Sequence, residues 1–158
     1  FGDHWHREAM SMISELSAEC RTIGLTNSAE ILVSAPPTSS LEVPILNEGE
    51  IYLGAIICGE SAHRHHTILL PGDVENKTWK QAMKWAADQG GDLPNRVEQA
   101  LLFATLKSEF QEAAYWSNSQ HAVFSDFAWC QNFGSGSQYN YTTNFKLRAR
   151  AVRRLIIQ

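Results

Sequence analysis

Residues 78–98, TWKQAMKWAADQGGDLPNRVE, decide the architecture, because one short stretch writes two helix starts and the stop between them. Thr78-Trp79-Lys80-Gln81 has the capping-box pattern, in which the Thr hydroxyl and the Gln side chain satisfy helix-end amides reciprocally. Trp79, Ala82, Met83, Ala86 and Ala87 then fall on one stripe, which predicts a helix to about Gln89 with that stripe buried. Gly90-Gly91 supplies a left-handed stop. Asn95-Arg96-Val97-Glu98 repeats the capping logic, and Val97, Leu101 and Ala104 with the Leu102 and Leu106 pair predict the apolar face of a second helix ending near Phe110.

Before this stretch, Glu50 to Ile57 and His65 to Leu70 read as two antiparallel strands joined by a polar turn, with Pro71-Gly72 ending the second. Further back, Trp5, Ala9, Met12, Ile13, Leu16, Cys20 and Ile23 take helical spacing and predict an amphipathic helix over residues 5–23, stopped by Gly24. Residues 34–45 contain Pro36, Pro37 and Pro44 and read as a linker, so the chain divides into a helical region (1–33), a linker (34–45) and a body (46–158). The stripe of residues 5–23 needs a cover, supplied by the body, a partner or a second copy of the chain as a homo-oligomer.

After the two helices, residues 115–145 hold nine of the sixteen aromatics and one charged side chain, Asp126, which excludes another solvated helix. Phe127, Trp129, Gln131 and Phe133 alternate with Ala128, Cys130 and Asn132 as a strand does, and Trp116, Phe127, Trp129 and Phe133 are expected in the core. Gly134 to Ser137 reads as a turn. Phe145, Leu147, Ala149 and Ala151 alternate with Lys146, Arg148 and Arg150 in a closing strand whose parity breaks at Val152-Arg153.

The whole is 158 residues, 44% apolar and 19% charged, enough for one domain and an appendage. No apolar run approaches the roughly 20 residues of a membrane-crossing helix, so no membrane partner is expected. A formal charge of -4 sits on an acidic body that ends in a basic tail. That tail makes nucleic-acid binding through the stripe of Lys146, Arg148 and Arg150 a lesser alternative, with pairing to acidic groups of the body as its competitor. Cys20, Cys58 and Cys130 are odd in number and widely spaced, which predicts buried thiols. The chain opens at Phe1 without Met or a signal peptide, which suggests processing or trimming; a host-cell cytoplasmic or virion location is expected.

The order strand, strand, helix, Gly-Gly, helix and aromatic strands resembles that of a C-type-lectin-like domain, which implies an α+β fold of two helices packed on short antiparallel sheets, here with an added N-terminal helix. In detail, Thr78-Trp79 with Ala82, Gly91-Asp92-Leu93-Pro94, Tyr115-Trp116-Ser117, Ala128-Trp129, Asn132-Phe133 and Arg148 to Arg153 resemble the Lcl C-terminal domain family over roughly residues 50–155. The resemblance implies that the Trp-Ser and Ala-Trp elements lie on core strands, and it implies a phage or prophage protein. The broad fold also carries calcium-dependent lectins and formylglycine-generating enzymes, and here the chain departs. Leu93-Pro94-Asn95 lacks the lectin's acidic first member, Trp116-Ser117-Asn118 lacks the terminal Asp, and Cys130 stands without the second cysteine of the oxidase.

These departures argue against calcium and leave an oxidase using Cys130 as the catalytic alternative; no cofactor and no metal are expected. His63, His65 and His66 read as a solvated hairpin tip, since Arg64 sits among them and neighbours on a strand point apart. Ser117, His121 and Asp126 lack any signature that fixes a triad, and the Gly134 turn lacks the Lys and helix of a phosphate loop. The Tyr, Trp, Ser, Asn and Gly mixture of residues 115–145 is instead that of a recognition surface. Asn118, Gln120, Gln138, Tyr139, Asn140, Tyr141 and Asn144 are the expected contact residues, with Tyr139 and Tyr141 as an aromatic platform and a protein as the partner. The expected function is non-catalytic, in host recognition or in blocking a host defence.

Overall fold

A computed structural model describes residues 42–57 and 64–157. The expected helix of residues 5–23, most of the linker, and the readings of Cys20, Cys58 and His63 lie outside the described residues. Strands β1 (Ile51–Ile57), β2 (Arg64–Leu69) and β8 (Val152–Ile156) form a sheet in the order β1-β2-β8, antiparallel throughout. A second sheet has the order β3-β7-β4-β5-β6, built from β3 (Val74–Lys77), β4 (Ala114–Gln120), β5 (Phe127–Asn132), β6 (Gln138–Thr142) and β7 (Leu147–Ala149). It is mixed, because β4 and β7 run parallel, whereas only antiparallel pairs were expected. The fold is therefore α+β, completed by helices α1 (Trp79–Asp88) and α2 (Arg96–Leu106). Among the described residues no helix is long and apolar enough to cross a membrane.

Both capping boxes form. Thr78 Oγ1 accepts from the Gln81 amide while Gln81 Oε1 accepts from the Thr78 amide, and Asn95 and Glu98 do the same for α2. Gly90 takes φ +80°, and Gly91 lies so close to β8 that a Cβ there would meet the Val152 carbonyl at 2.5 Å and Leu70 Cδ1 at 2.7 Å. The Gly-Gly pair thus stops α1 and lets the chain bridge Asp92 to Val152.

Neighbouring residues of β4 show how the core divides. Trp116 joins Ala82 and Ala86 of α1 with Ala128, Cys130 and Ala149 in one buried cluster. Tyr115 points the other way and joins Leu102 of α2 with Phe110, Phe133, Leu69 and Val152 in a second. Phe110 stacks on Phe133 at 3.9 Å, and Tyr115 meets both edge-on. Ala87 is exposed, and half-buried Trp85 packs in its place.

Three expectations about burial reverse. On α2 the expected Leu102 is buried and Leu106 packs beside it, but the rest of the buried face is Glu98 and Gln99, while Val97, Leu101 and Ala104 are exposed. In β5, Ala128 and Cys130 face α1, because only small side chains fit opposite Ala82 and Ala86, while Phe127 and Trp129 are half-buried on the far face. His65 and His66 are buried, because β2 is the middle strand of its sheet, with β1 and β8 on either side. They do point to opposite faces: His65 Nε2 lies 3.1 Å from Glu98 Oε1, and His66 Nδ1 lies 2.9 Å from the Tyr52 hydroxyl.

Candidate functional site

Of the expected contact residues, those on β6 divide between two faces of the sheet. The register pairs Cys130 with Tyr139 and Ala128 with Tyr141, so both tyrosines share the α1 side. They meet edge-on at 5.3 Å, and Phe145 stacks on Tyr141 at 4.5 Å. This is a half-buried pair packed on the core, and burial pushes the Tyr139 phenol up from its ordinary value. Gln138 and Asn140 pair with Gln131 and Trp129 and so lie on the opposite, α2 face. Asn118 is a structural tie, its amide N–H donating to the Pro94 carbonyl and its Nδ2 to Asp92 Oδ2 at 2.8 Å. Gln120 and Asn144 are exposed, and Gln120 Nε2 donates to the Ser125 carbonyl.

On the α2 face the geometry assembles a set of side chains drawn from three separate segments. The Arg96 guanidinium lies 3.6 Å over the Trp129 ring. His121 stacks on Trp129 with 5.8 Å between centroids and a 12° interplanar angle, and Phe124 lies 5.2 Å from His121. Phe124 is 61% exposed and its neighbour Val123 is 77% exposed. The loop that carries them is built rather than loose. His121 Nδ1 accepts from the amides of Val123 and Phe124, the Phe127 amide donates to the Phe124 carbonyl, and the His121 amide donates to Phe127. With Nδ1 accepting, the neutral imidazole carries its proton on Nε2.

A groove of about 530 Å³ adjoins this stack, lined by Arg96, Val97, Ala100 and Phe103 from α2 and by Gln131, Gly136 and Gln138 from the β5–β6 hairpin. Gln138 fastens the two sides, because its Nε2 donates to the Arg96 carbonyl at 2.6 Å and to Gln131 Oε1 at 2.8 Å while its Oε1 accepts from Arg96 Nε at 3.1 Å. Gly136, at φ +82°, is fixed by close approach, since a Cβ there would stand 2.6 Å from the Phe103 ring.

Below the first turn of α2 lies a part-buried ionic network around the fully buried Glu98. Arg154 binds Glu98 through two hydrogen bonds of 2.6 and 2.7 Å, and also reaches Asp92 at 3.0 Å and the Leu93 carbonyl at 3.1 Å. Thr67 Oγ1 donates to the same carboxylate. Burial alone would push the Glu98 carboxyl up, but Arg154, the Asn95 amide and His65 together hold it below its ordinary value of 4.5. The network anchors the helix turn that presents Arg96, so the stack rests on a rigid base.

The basic stripe is not a free cationic surface. Arg148 pairs with Asp73 at 3.0 Å and Glu75 at 2.9 Å. Arg150 is buried and donates to the Glu109 and Leu70 carbonyls, and burial lowers its pKa. Only Lys146 of the three is exposed. The buried arginine also relocates the expected parity break, since the chain leaves one sheet at Ala149 and joins the other at Val152. Cys130 is buried, its Sγ donates to the Tyr139 carbonyl, and burial pushes the thiol up to about 12, so thiolate chemistry is suppressed there. Among the described residues no three His, Cys, Asp or Glu side chains converge on a common point.

Arg96, His121, Val123, Phe124 and Trp129 escape the sequence reading of the site. The available signal was Ala128 and Cys130, whose small size opposite an alanine-faced helix turns Trp129 outward. No family model matches the chain, and no curated protein matches it either.

Proposed function

We propose that this chain is a non-catalytic binding module of the C-type-lectin-like class that recognises a protein partner through its α2 face. The observation that carries the reading is the stack of Arg96, Trp129, His121 and Phe124 ending in side chains of 61% and 77% exposure on an internally bonded loop. Exposed apolar groups of this size are costly to hold in water, and aromatic and arginine side chains on a fixed scaffold are the usual anchors of protein interfaces. Half-buried Asn140, on the same face of the sheet, supplies hydrogen bonding at the rim.

The two-helix α+β architecture and the Gly91-Asp92-Leu93-Pro94 link between the helices support the C-type-lectin-like class. A phage or prophage origin rests on the resemblance over residues 50–155 alone, and with it the role in host recognition or in blocking a host defence. The high thiol pKa of Cys130 weakens the oxidase alternative, and the internal pairing of Arg148 and Arg150 weakens nucleic-acid binding.

The test is capture from host lysate with the whole chain as bait and identification of what is held. Replacing Val123 and Phe124 together by Ser removes the stack's exposed end without opening the core. The expected result is loss of the captured protein with an unchanged unfolding midpoint, while the same protein captured equally by the double variant refutes the reading.

A further inference from the structure

Among the described residues the two sheets have four edges, and three are blunted against further pairing. β3 carries Glu75 and Lys77, takes φ +59° at Asn76 and slips register between Val74 and Lys77. β1 is bulged between Tyr52 and Gly54. β8 bears Arg153 and Arg154 and is bridged to Asp92. β6 reads Gln-Tyr-Asn-Tyr-Thr, with no charge, no proline and no bulge. Natural sheets protect edges with charges, prolines and bulges, so an unprotected edge is a place where pairing is permitted.

The register shows which groups are offered. The Asn132 amide donates to the Ser137 carbonyl at one end of the β5–β6 pair, and the Thr143 amide donates to the Asp126 carbonyl at the other. In that phase the odd-numbered residues of β6 bond to β5, and the main-chain N–H and C=O groups of Gln138 and Asn140, with the Thr142 N–H, point outward. No described residue bonds to them. The groove begins at the same edge, because Gly136 and Gln138 line it, and its far wall is the apolar flank Val97, Ala100 and Phe103. Arg96 stands at its mouth, and among the described residues it has no carboxylate partner.

We propose that β6 accepts an extended segment of a partner protein as an added strand, with alternate apolar side chains entering the groove and an acidic side chain meeting Arg96. This rests on the binding-module reading and names the form its partner takes. Main-chain bonds to Gln138 and Asn140 would supply affinity, and the groove with Arg96 would supply sequence preference.

The experiment uses the whole chain as bait for a random short-peptide library, and the best sequence is then made as a labelled synthetic peptide. The expected sequences alternate apolar residues and carry an acid. N140P removes an outward N–H without breaking a bond to β5, so it should weaken the peptide at least about tenfold while leaving the unfolding midpoint near that of the parent. N-methylating alternate peptide bonds should do the same, and R96Q should weaken the acid-bearing peptide more than its amide analogue. Hydrogen exchange at Gln138 and Asn140 should be fast in the free chain and slow with peptide. Equal binding to the parent and N140P overturns the proposal, as does edge protection already present without peptide, whether concentration-dependent from a second copy or not from the chain itself. If the Val123 and Phe124 variant loses its protein partner while N140P retains it, strand addition falls and the binding module stands.

Discussion

The two helices lie against the two faces of one sheet and are held there by different chemistry. Under α1 the contact is small and apolar: Ala82 and Ala86 meet Trp116, Ala128, Cys130 and Ala149, with the half-buried Trp79, Met83 and Trp85 closing the rim. Under α2 the helix buries a carboxylate and an amide, Glu98 and Gln99, and leaves Val97 53% exposed. The first arrangement needs only shape. The second depends on Arg154, His65 and Thr67 arriving from the other sheet, and an ion pair so placed specifies position more than it adds stability. The candidate binding face lies on the α2 side, where exposed apolar surface is left over once the polar face has been turned inward.

The sharpest way to break this contrast is Glu98→Ala, which removes the cap of α2 at Asn95 and leaves the half-buried Arg154 guanidinium with the partly exposed Asp92 as its carboxylate. The expected loss is about 3–5 kcal/mol in urea unfolding, the usual cost of removing one partner of a buried pair. A loss below about 1 kcal/mol would show that α2 is held by apolar contact as α1 is. Acid reads the same network without a large cavity. A carboxyl held below 4.5 in the folded chain contributes stability that is complete above 4.5 and disappears as pH falls through its lowered folded value. Glu50, which Arg153 holds down to about 2, contributes in the same direction from 4.5 to about 2. Glu98→Gln should therefore flatten part of the acid limb of the stability curve and leave Glu50's share, and an unchanged limb would remove Glu98 from the account.

Ala86→Leu addresses the other face. It forces four-carbon bulk against Trp116 and Cys130, and overpacking of this kind costs about 1–3 kcal/mol with no dependence on pH. A cost that instead grew toward acid would mean that the two faces share their chemistry.

How far the sequence reveals each face follows from where the partners lie along the chain. Everything that makes α1 is local: Thr78 and Gln81 cap it, its stripe repeats with helical period, and Gly90-Gly91 ends it, so the start, stop and most of the buried face are legible. The cap of α2 is equally local and equally legible. Its buried face is not, because the reason Glu98 turns inward is Arg154, 56 residues further on. A still longer separation, 75 and 73 residues, hides Arg148 from its acids Asp73 and Glu75, so an alternating stripe of cations reads as surface. For β5 the period of two is correct and the choice of face fails, since both faces carry apolar groups and only the contact with Ala82 and Ala86 decides between them. The stack of Arg96, His121 and Trp129 joins three segments that no local pattern connects.

The smallest expected effect tests what the exposed flank of α2 is for. Val97 is 53% and Leu101 38% exposed, so replacing both by Ser gives up only part of each side chain's burial, and stability should fall by no more than about 1 kcal/mol. Helix propensity barely enters, since Val and Ser have similar preferences and Leu101→Ser costs a few tenths at most. The same pair should nevertheless weaken the library-selected peptide, because Val97 lines the groove that its apolar side chains enter. A large stability loss would place these side chains under cover in the free chain, and unchanged peptide affinity would detach the groove from the β6 edge. Little change in stability with weaker binding is the combination expected of a face whose polar side is buried to hold the helix and whose apolar side is left out to meet a partner.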